Sequence, residues 1–251
     1  MSSISKRRES LIKSLYTRHG RKKHDLCICE GIRSCGDLFV SNPGLVEFIV
    51  ASDALDMLLP DDKEIVRIPA DEFKKLSATV SSQGILAVVK KPEFIHDIQP
   101  EDPFIVVLDG VADPGNFGTI VRTVRAAGLK ELWYTAGGVD PFNDKAIRAA
   151  MASQFVIGLR RFENIQELLG ELHRYGYNRV YRTDVKTGRN CFLESELFDK
   201  SAIIIGGEAH GAGEAGDAIS LTIPMPGDEE SLNAAQAATV IIFEYVRRLT
   251  S

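Results

Sequence analysis

Four side chains capable of chemistry stand inside glycine- and asparagine-bearing stretches from Asn116 onward. Asn116 and Arg122 lie in "NFGTIVR", Glu208 in "GGEAHG" and Asn233 in "SLN". An arginine is a standing cation that can hold a phosphate or stabilise an alkoxide as it forms. Gly118, Arg122 and Arg125 recur at spacings of four and three. That pattern puts them on the side of a helix opposite Phe117, Ile120, Val121 and Val124, and suits the close approach of an anion. The plainer reading is an exposed basic face. Glu208 follows the apolar run "AIII", and glycines at the carboxyl end of a parallel strand let a ligand approach the backbone. Its plainer reading is a solvated glutamate on a surface turn. Ser231 is the expected cap of the last helix, and capping alone would explain it. Asn233 then falls in the first helical turn, where propensity gives an asparagine little reason to be, so a specific contact is favoured.

These residues need a scaffold that brings three distant stretches together. "FIVVLDG", "ELWYTA", "RVYRTD", "AIIIGGE" and "AISLTIPM" read as strands. "NFGTIVRTVRAAG", "NDKAIRAAMAS", "NIQELLGELHRYG" and "SLNAAQAATVIIFEYVRRL" read as helices. Asp113 caps the first of these, Pro114 opens it and Gly128 ends it. Upstream, "DLCICEG", "VEFIVAS", "EIVRIP" and "GILAVVKK" are strands, with helices over "GIRSCGDLFVSN" and "ADEFKKLSATV". The alternation predicts an α/β fold with a mostly parallel sheet covered on both faces. "KPEFIHDIQPEDP", with three prolines in thirteen residues, reads as a linker. The expected division is therefore residues 1–91, a linker over 92–103, and 104–251.

"GAGEAG", residues 211–216, spells a dinucleotide-binding fingerprint. The chain around it does not agree. No long helix opens at Gly216, because "DAISLTIPMPG" is β-like and broken by prolines, and only 35 residues remain. A dinucleotide oxidoreductase is excluded on this ground.

The charge is uneven. Residues 1–25 hold eight Lys/Arg against Glu9 and Asp25, while the chain as a whole carries −5. An acidic protein with a basic arm can bind a polyanion locally. Arg18, Arg21, Lys22 and Lys23 are the candidate phosphate contacts; the alternative is a solvated helix over "SKRRESLIKSLYTRHGRKK" resting on Leu11, Ile12 and Leu15. The four cysteines include no C-x-x-C pair, so buried thiols are expected and no metal. No apolar run approaches the length of a bilayer span and no signal segment opens the chain, which points to a cytoplasmic protein without a membrane partner.

Taken together, N-F-G-x-I-x-R, then G-x-E-x-x-G, then I-P-M-x-G-x-x-x-S-L-N resembles the three motifs of the SpoU family of RNA ribose methyltransferases. Asn116, Gly118, Ile120 and Arg122 carry the first, Gly206, Glu208 and Gly211 the second, and Ile223 to Asn233 the third. The family often has Val-Ser where this chain has Ala234-Ala235. The resemblance is clearest over residues 104–250, and the amino-terminal part looks like the small substrate-binding domain of many members. It implies a SPOUT domain with a deep trefoil knot, a homodimer with sites at the subunit interface, and S-adenosylmethionine as cofactor. It further implies cofactor contacts from Gly206, Gly207, Glu208, Gly211, Ile223, Met225, Ser231 and Leu232, and catalytic roles for Asn116, Arg122, Glu208, Ser231 and Asn233. Asn116 would orient Arg122. The last helix, with Leu232, Val240, Phe243 and Val246, would lie in the dimer interface. Ribosomal RNA is favoured over transfer RNA, and a non-catalytic RNA-binding protein on the same fold is the alternative.

Overall fold

The computed structural model describes residues 4–93, 97–185, 187–207, 216–228 and 230–250. Among these, eight α-helices run in chain order as α1 (Lys6–Leu15), α2 (Arg18–His24), α3 (Ile32–Ser41), α4 (Ala70–Leu76), α5 (Pro114–Ala126), α6 (Asp144–Ala150), α7 (Ile165–Arg174) and α8 (Ala234–Leu249). Strands β1 (Leu26–Glu30), β2 (Val46–Ser52), β3 (Ile65–Ile68) and β4 (Ile85–Lys90) precede β5 (Phe104–Asp109), β6 (Glu131–Thr135) and β7 (Gly158–Phe162). They are followed by β8 (Arg179–Thr183), β9 (Arg189–Asn190), β10 (Ser201–Gly206) and β11 (Ile219–Thr222).

The chain forms two compact units. Met1–Glu93 together with Asp140–Val156 make the first, and Phe94–Val139 with Ile157–Ser251 the second. The helix over "NDKAIRAAMAS", which follows β6 in sequence, thus belongs to the first unit as α6, packed on β1.

In the first unit a four-stranded sheet runs in the order β1-β4-β2-β3. β4 is antiparallel to both β1 and β2, and only β2 and β3 are parallel. The expectation of a mostly parallel sheet fails in this unit, because β4 returns between two earlier strands. Ile12, Leu15, Ile28, Phe48, Val50, Phe73, Leu86 and Val88 form its core, each such side chain contributing about 1.5–3 kcal/mol when fully buried. The single basic helix read from the sequence is in fact two. α1 ends at Leu15 and α2 restarts from Thr17, whose hydroxyl accepts the Gly20 N–H at 3.0 Å. Gly20 is required there: a Cβ would lie 2.0 Å from the Ser14 carbonyl oxygen. Ile12 and Leu15 are buried as expected, and Leu11 is half-buried.

The second unit holds a seven-stranded sheet, order β7-β6-β5-β10-β8-β11-β9, in which every described pair is parallel. β10 is central, paired with β5 on one side and β8 on the other. Its apolar run reads as a strand buried on both faces. Ile105, Val107, Trp133, Leu168, Leu172 and Ile204 pack one side of the sheet. Trp133 donates to Glu131, which also receives Arg160 at 2.6 Å, so this buried ion pair is hydrogen-bonded as well as charged. On α5 the predicted stripe Phe117, Ile120, Val121 and Val124 is buried. Gly118 and Thr123 are buried too, because α8 covers a second side of α5; Gly118 therefore does not lie on an open basic face with Arg122.

Candidate active site

The carboxyl ends of β5, β6 and β10 are tied together by a small polar knot of bonds. Thr135 donates to the Asp109 carboxylate at 2.8 Å and accepts the Gly110 N–H at 3.1 Å. The Gly207 N–H donates to the Asp109 carbonyl at 2.9 Å. Gly207 passes so close that a Cβ would sit 2.3 Å from the Gly110 oxygen, which only glycine permits.

Beyond that edge lies a cavity of about 410 Å³. Gly206 and Gly207 from the end of β10, Ile223 and Met225 after β11, and Ser231 and Leu232 before α8 all line it. Six residues from two separate motifs thus share one cavity. Thr183, Asp184 and Val185, at the end of β8, line it as well. Sequence reading missed these three, though "RTDV" ends a strand that lies beside β10, and strand ends are where such sheets bind ligands. Thr183 is committed, donating to the Ile204 carbonyl at 3.2 Å. The Asp184 N–H donates to Leu221 at 2.8 Å and extends the pairing of β8 with β11. Asp184 and Glu230 are the charged side chains in the described lining, and both are acids. Glu208 and Gly211 lie outside the described residues.

Asn233 is explained twice over. It is the N-cap of α8, accepting the Ala235 and Gln236 N–H groups, and Gln236 reaches back to complete a capping box. Its side-chain NH2 then donates to the Asn116 Oδ1 at 3.0 Å. Asn116 sits in the first turn of α5, where its N–H is held at 2.7 Å by the Asp113 cap. The first and third motifs are joined at this bond, and Thr123 facing Thr239 at 3.4 Å continues the α5–α8 contact. Ser231 is not the cap; the helix starts two residues later than the sequence suggested, and Ser231 is left exposed at the cavity.

Arg122 stands apart from this network. It is exposed on α5 and makes no hydrogen bond or ion pair with the described residues. Six residues separate it from Asn116, which turns it about 240° around the helix at 100° per residue. Asn116 therefore does not orient it. Nor does Arg122 line the cavity of its own chain.

The basic arm divides. Arg18, Lys22 and Lys23 are exposed on α2. Arg21 is not available to a phosphate. Its guanidinium is 3% exposed, bound to Asp140 at 2.7 Å and to the Leu15 carbonyl at 2.9 Å. The run of basic residues that placed it with Lys22 and Lys23 carried no sign of a partner 119 residues away. All four cysteines are buried and free, and burial pushes the Cys27 and Cys191 thiols up. Among the described residues no group of His, Cys, Asp and Glu could hold a metal ion, and no helix is long and apolar enough to cross a membrane.

Residues 103–243 match the model of the SpoU rRNA Methylase family. The chain belongs to that family. Residues 10–87 match the MRM3-like substrate binding domain. The 23S rRNA (guanosine(2553)-2'-O)-methyltransferase RlmP of Bacillus subtilis is 32% identical over 238 residues, spanning 92% of each chain. A protein assigned to the TrmH family of RNA methyltransferases, from Porphyromonas gingivalis, superposes with a TM-score of 0.85 at 27% identity, covering 98% of this chain and 100% of its own. The SpoU methyltransferase AviRb from Streptomyces viridochromogenes, in its complex with AdoMet, shares the fold with a TM-score of 0.84 at 24% identity over 99% of both chains. The SpoU architecture accounts for what Gly206 and Gly207 do here: they line a cavity at a strand end rather than open a phosphate-binding helix.

Proposed function

We propose that the protein transfers a methyl group from S-adenosylmethionine to a ribose 2'-hydroxyl of ribosomal RNA, as a cytoplasmic homodimer. The observation that carries this is the cavity in which Gly206, Gly207, Ile223, Met225, Ser231 and Leu232 converge, with the first motif joined to the third by the Asn116–Asn233 bond. The fit to the cofactor is good on the residues present. Ile205, Leu221, Ile223, Met225 and Leu232 give an apolar wall for an adenine, and two glycines open the backbone to it. Asp184 and Glu230 complement a ligand bearing a sulfonium and an ammonium. When bound there, the cofactor supplies a methyl group already activated for in-line attack. A trefoil knot of the cavity loops belongs to this reading.

The protein's own task is alignment and charge. Holding two reactants in register can lower a barrier by about 7–11 kcal/mol. Arg122, a guanidinium cation, would hold the phosphate or the oxygen of the reacting ribose. Asn116 and Asn233 brace α5 against α8, and Ser231 offers its exposed hydroxyl at the cavity mouth. Glu208 or a water would take the 2'-proton. Because Arg122 and the cavity do not meet within one chain, the site is completed across a dimer, Arg122 of one copy serving the cavity of the other. Phe243, 45% exposed, and the half-buried Val240 and Val246 give α8 an apolar face for that contact.

A thermal-shift titration tests the reading. S-adenosylmethionine raises the melting temperature as any ligand of the native state must, and NAD does not. A shift with NAD alone would reverse the assignment, as would a fully active monomer by light scattering.

A further inference from the structure

Residues 223–233 join β11 to α8, and Ile223, Met225, Glu230, Ser231 and Leu232 of the 410 Å³ cavity all lie on this strap. Both ends of the strap are fixed against one segment of the chain. At the first end β9 pairs with β11, Asn190 opposite Thr222, and the Cys191 N–H donates to the Thr222 carbonyl at 3.0 Å. From the second end α8 runs away from the cavity, so that Arg248 stands about 22 Å from Asn233 at 1.5 Å per residue. There the Arg248 guanidinium turns onto the same segment. Its Nη1 donates to the Glu194 carbonyl at 2.8 Å, and its Nη2 to the Cys191 and Phe192 carbonyls at 3.0 and 3.3 Å. Its Nε donates to Glu244 at 2.8 Å, and its Cζ lies 5.0 Å from the centre of the Phe198 ring. The segment is itself held together, since the Glu194 carboxylate pairs with Arg189 of β9 at 2.8 Å.

We propose that Arg248 is a positioning residue for the cofactor, setting the separation of β11 from the first turn of α8 and with it the shape of the strap between them. The inference rests on the reading of that cavity as the S-adenosylmethionine site. Residues 190–194 act as a bracket, joined to β11 by strand pairing and to the far end of α8 by Arg248. A helix is a rigid element that carries a displacement along its length, so the bracket acts on Ala234 and Ala237, which line the cavity. The other contacts of α8 do not set this spacing. The Asn116–Asn233 bond ties α8 to α5 and not to β11. Tyr245 meets Phe198 with ring centres 5.4 Å apart, a contact that holds the helix down but, being non-directional, lets it slide. Four hydrogen bonds of defined geometry fix its position along the axis. Arginine suits the task because its planar fork reaches three carbonyls and a carboxylate at once, whereas a lysine ammonium is a point charge.

The test measures S-adenosylmethionine binding to the full chain by calorimetry, and amide hydrogen exchange in the same proteins without ligand. Arg248→Met keeps an apolar stem against Phe198 and removes every donor; Arg248→Lys keeps the charge and loses the fork. Arg248→Met binds S-adenosylmethionine about tenfold more weakly than the wild type, or about 1.4 kcal/mol, the size of one or two hydrogen bonds. Arg248→Lys stays about fivefold weaker, because charge without the fork does not restore the spacing. In both variants the Ala235 and Gln236 amides, which Asn233 caps at the opposite end of α8, exchange about tenfold faster. Wild-type affinity in Arg248→Met would overturn the proposal, and so would full recovery in Arg248→Lys, which would make charge alone sufficient. Faster exchange confined to the last turn of α8 would overturn it as well, reducing Arg248 to a cap on that turn. A wild type that does not bind S-adenosylmethionine would defeat the cofactor reading itself, whereas wild-type binding with unchanged variants would defeat the Arg248 assignment alone.

Discussion

Replacing Arg21 with alanine should loosen the first unit rather than merely weaken RNA binding. The guanidinium is 3% exposed, its Nε lies 2.7 Å from the Asp140 carboxylate, and its Nη1 donates to Leu15 at the end of α1. Removing one partner of a buried ion pair costs about 3–5 kcal/mol, mostly from the charge left behind. Asp140 keeps 19% of its side chain in water, so the low end applies, about 3 kcal/mol. A change of an exposed neighbour such as Lys22→Ala stays within about 0.5 kcal/mol. The protein has two units and need not melt in one step, so the assay should report locally. Hydrogen exchange of the α1, α2 and β1 amides does so. If these amides exchange through opening of the first unit, about 3 kcal/mol corresponds to exchange roughly 150-fold faster in Arg21→Ala, with protection of β5 and β10 unchanged. Lys22→Ala, by contrast, should exchange like the wild type and bind RNA more weakly. Wild-type exchange in Arg21→Ala together with a several-fold loss of RNA affinity would refute this reasoning and return Arg21 to the phosphate-binding set.

Three further outcomes follow from the second unit. Arg122→Ala should leave melting temperature and S-adenosylmethionine affinity nearly unchanged while lowering turnover about a hundredfold or more, as for a group that meets charge developed in the transition state; steady-state kinetics at saturating RNA decide it. Asn233→Asp keeps the acceptor that caps α8 but loses the donor to Asn116, whereas Asn233→Ala loses both and about 1 kcal/mol of cap energy; chemical denaturation should rank wild type and Asn233→Asp above Asn233→Ala, while both variants lose activity. Glu244 is held down to about 2 by Arg247 and Arg248, below the roughly 4.3 of an unfolded glutamate, so its stabilisation is complete above about pH 4.3 and is lost as pH falls toward 2; Glu244→Gln should lower the melting temperature at pH 7 and converge on the wild type near pH 2.

The elements were legible where periodicity or caps spoke clearly. β10 and β5 announced themselves as apolar runs, and α5 by Asp113, Pro114 and its buried stripe. What escaped was set by long-range contacts. Nothing around Asp140 says that the stretch after β6 packs with the first unit, because its composition is that of any helix between two strands. Arg21 looked like its neighbours until a partner far along the chain came within 2.7 Å. At Ser231 a residue with good capping chemistry was passed over for Asn233, whose side chain can cap and donate at once. Gly206, Gly207, Ile223, Met225 and Leu232 were found through resemblance, since no periodic pattern could have placed them around one cavity; Thr183 and Asp184 belong to no motif and were missed.

The central claim, ribose methylation of ribosomal RNA, is met most directly by mapping 2'-O-methylated nucleotides in RNA from cells with and without the gene. The account predicts one or a few ribosomal RNA positions that lose their methyl group without it and regain it when the wild type, but not Arg122→Ala, is returned. Unchanged ribosomal RNA methylation, with the loss falling on transfer RNA or on no RNA at all, would contradict it.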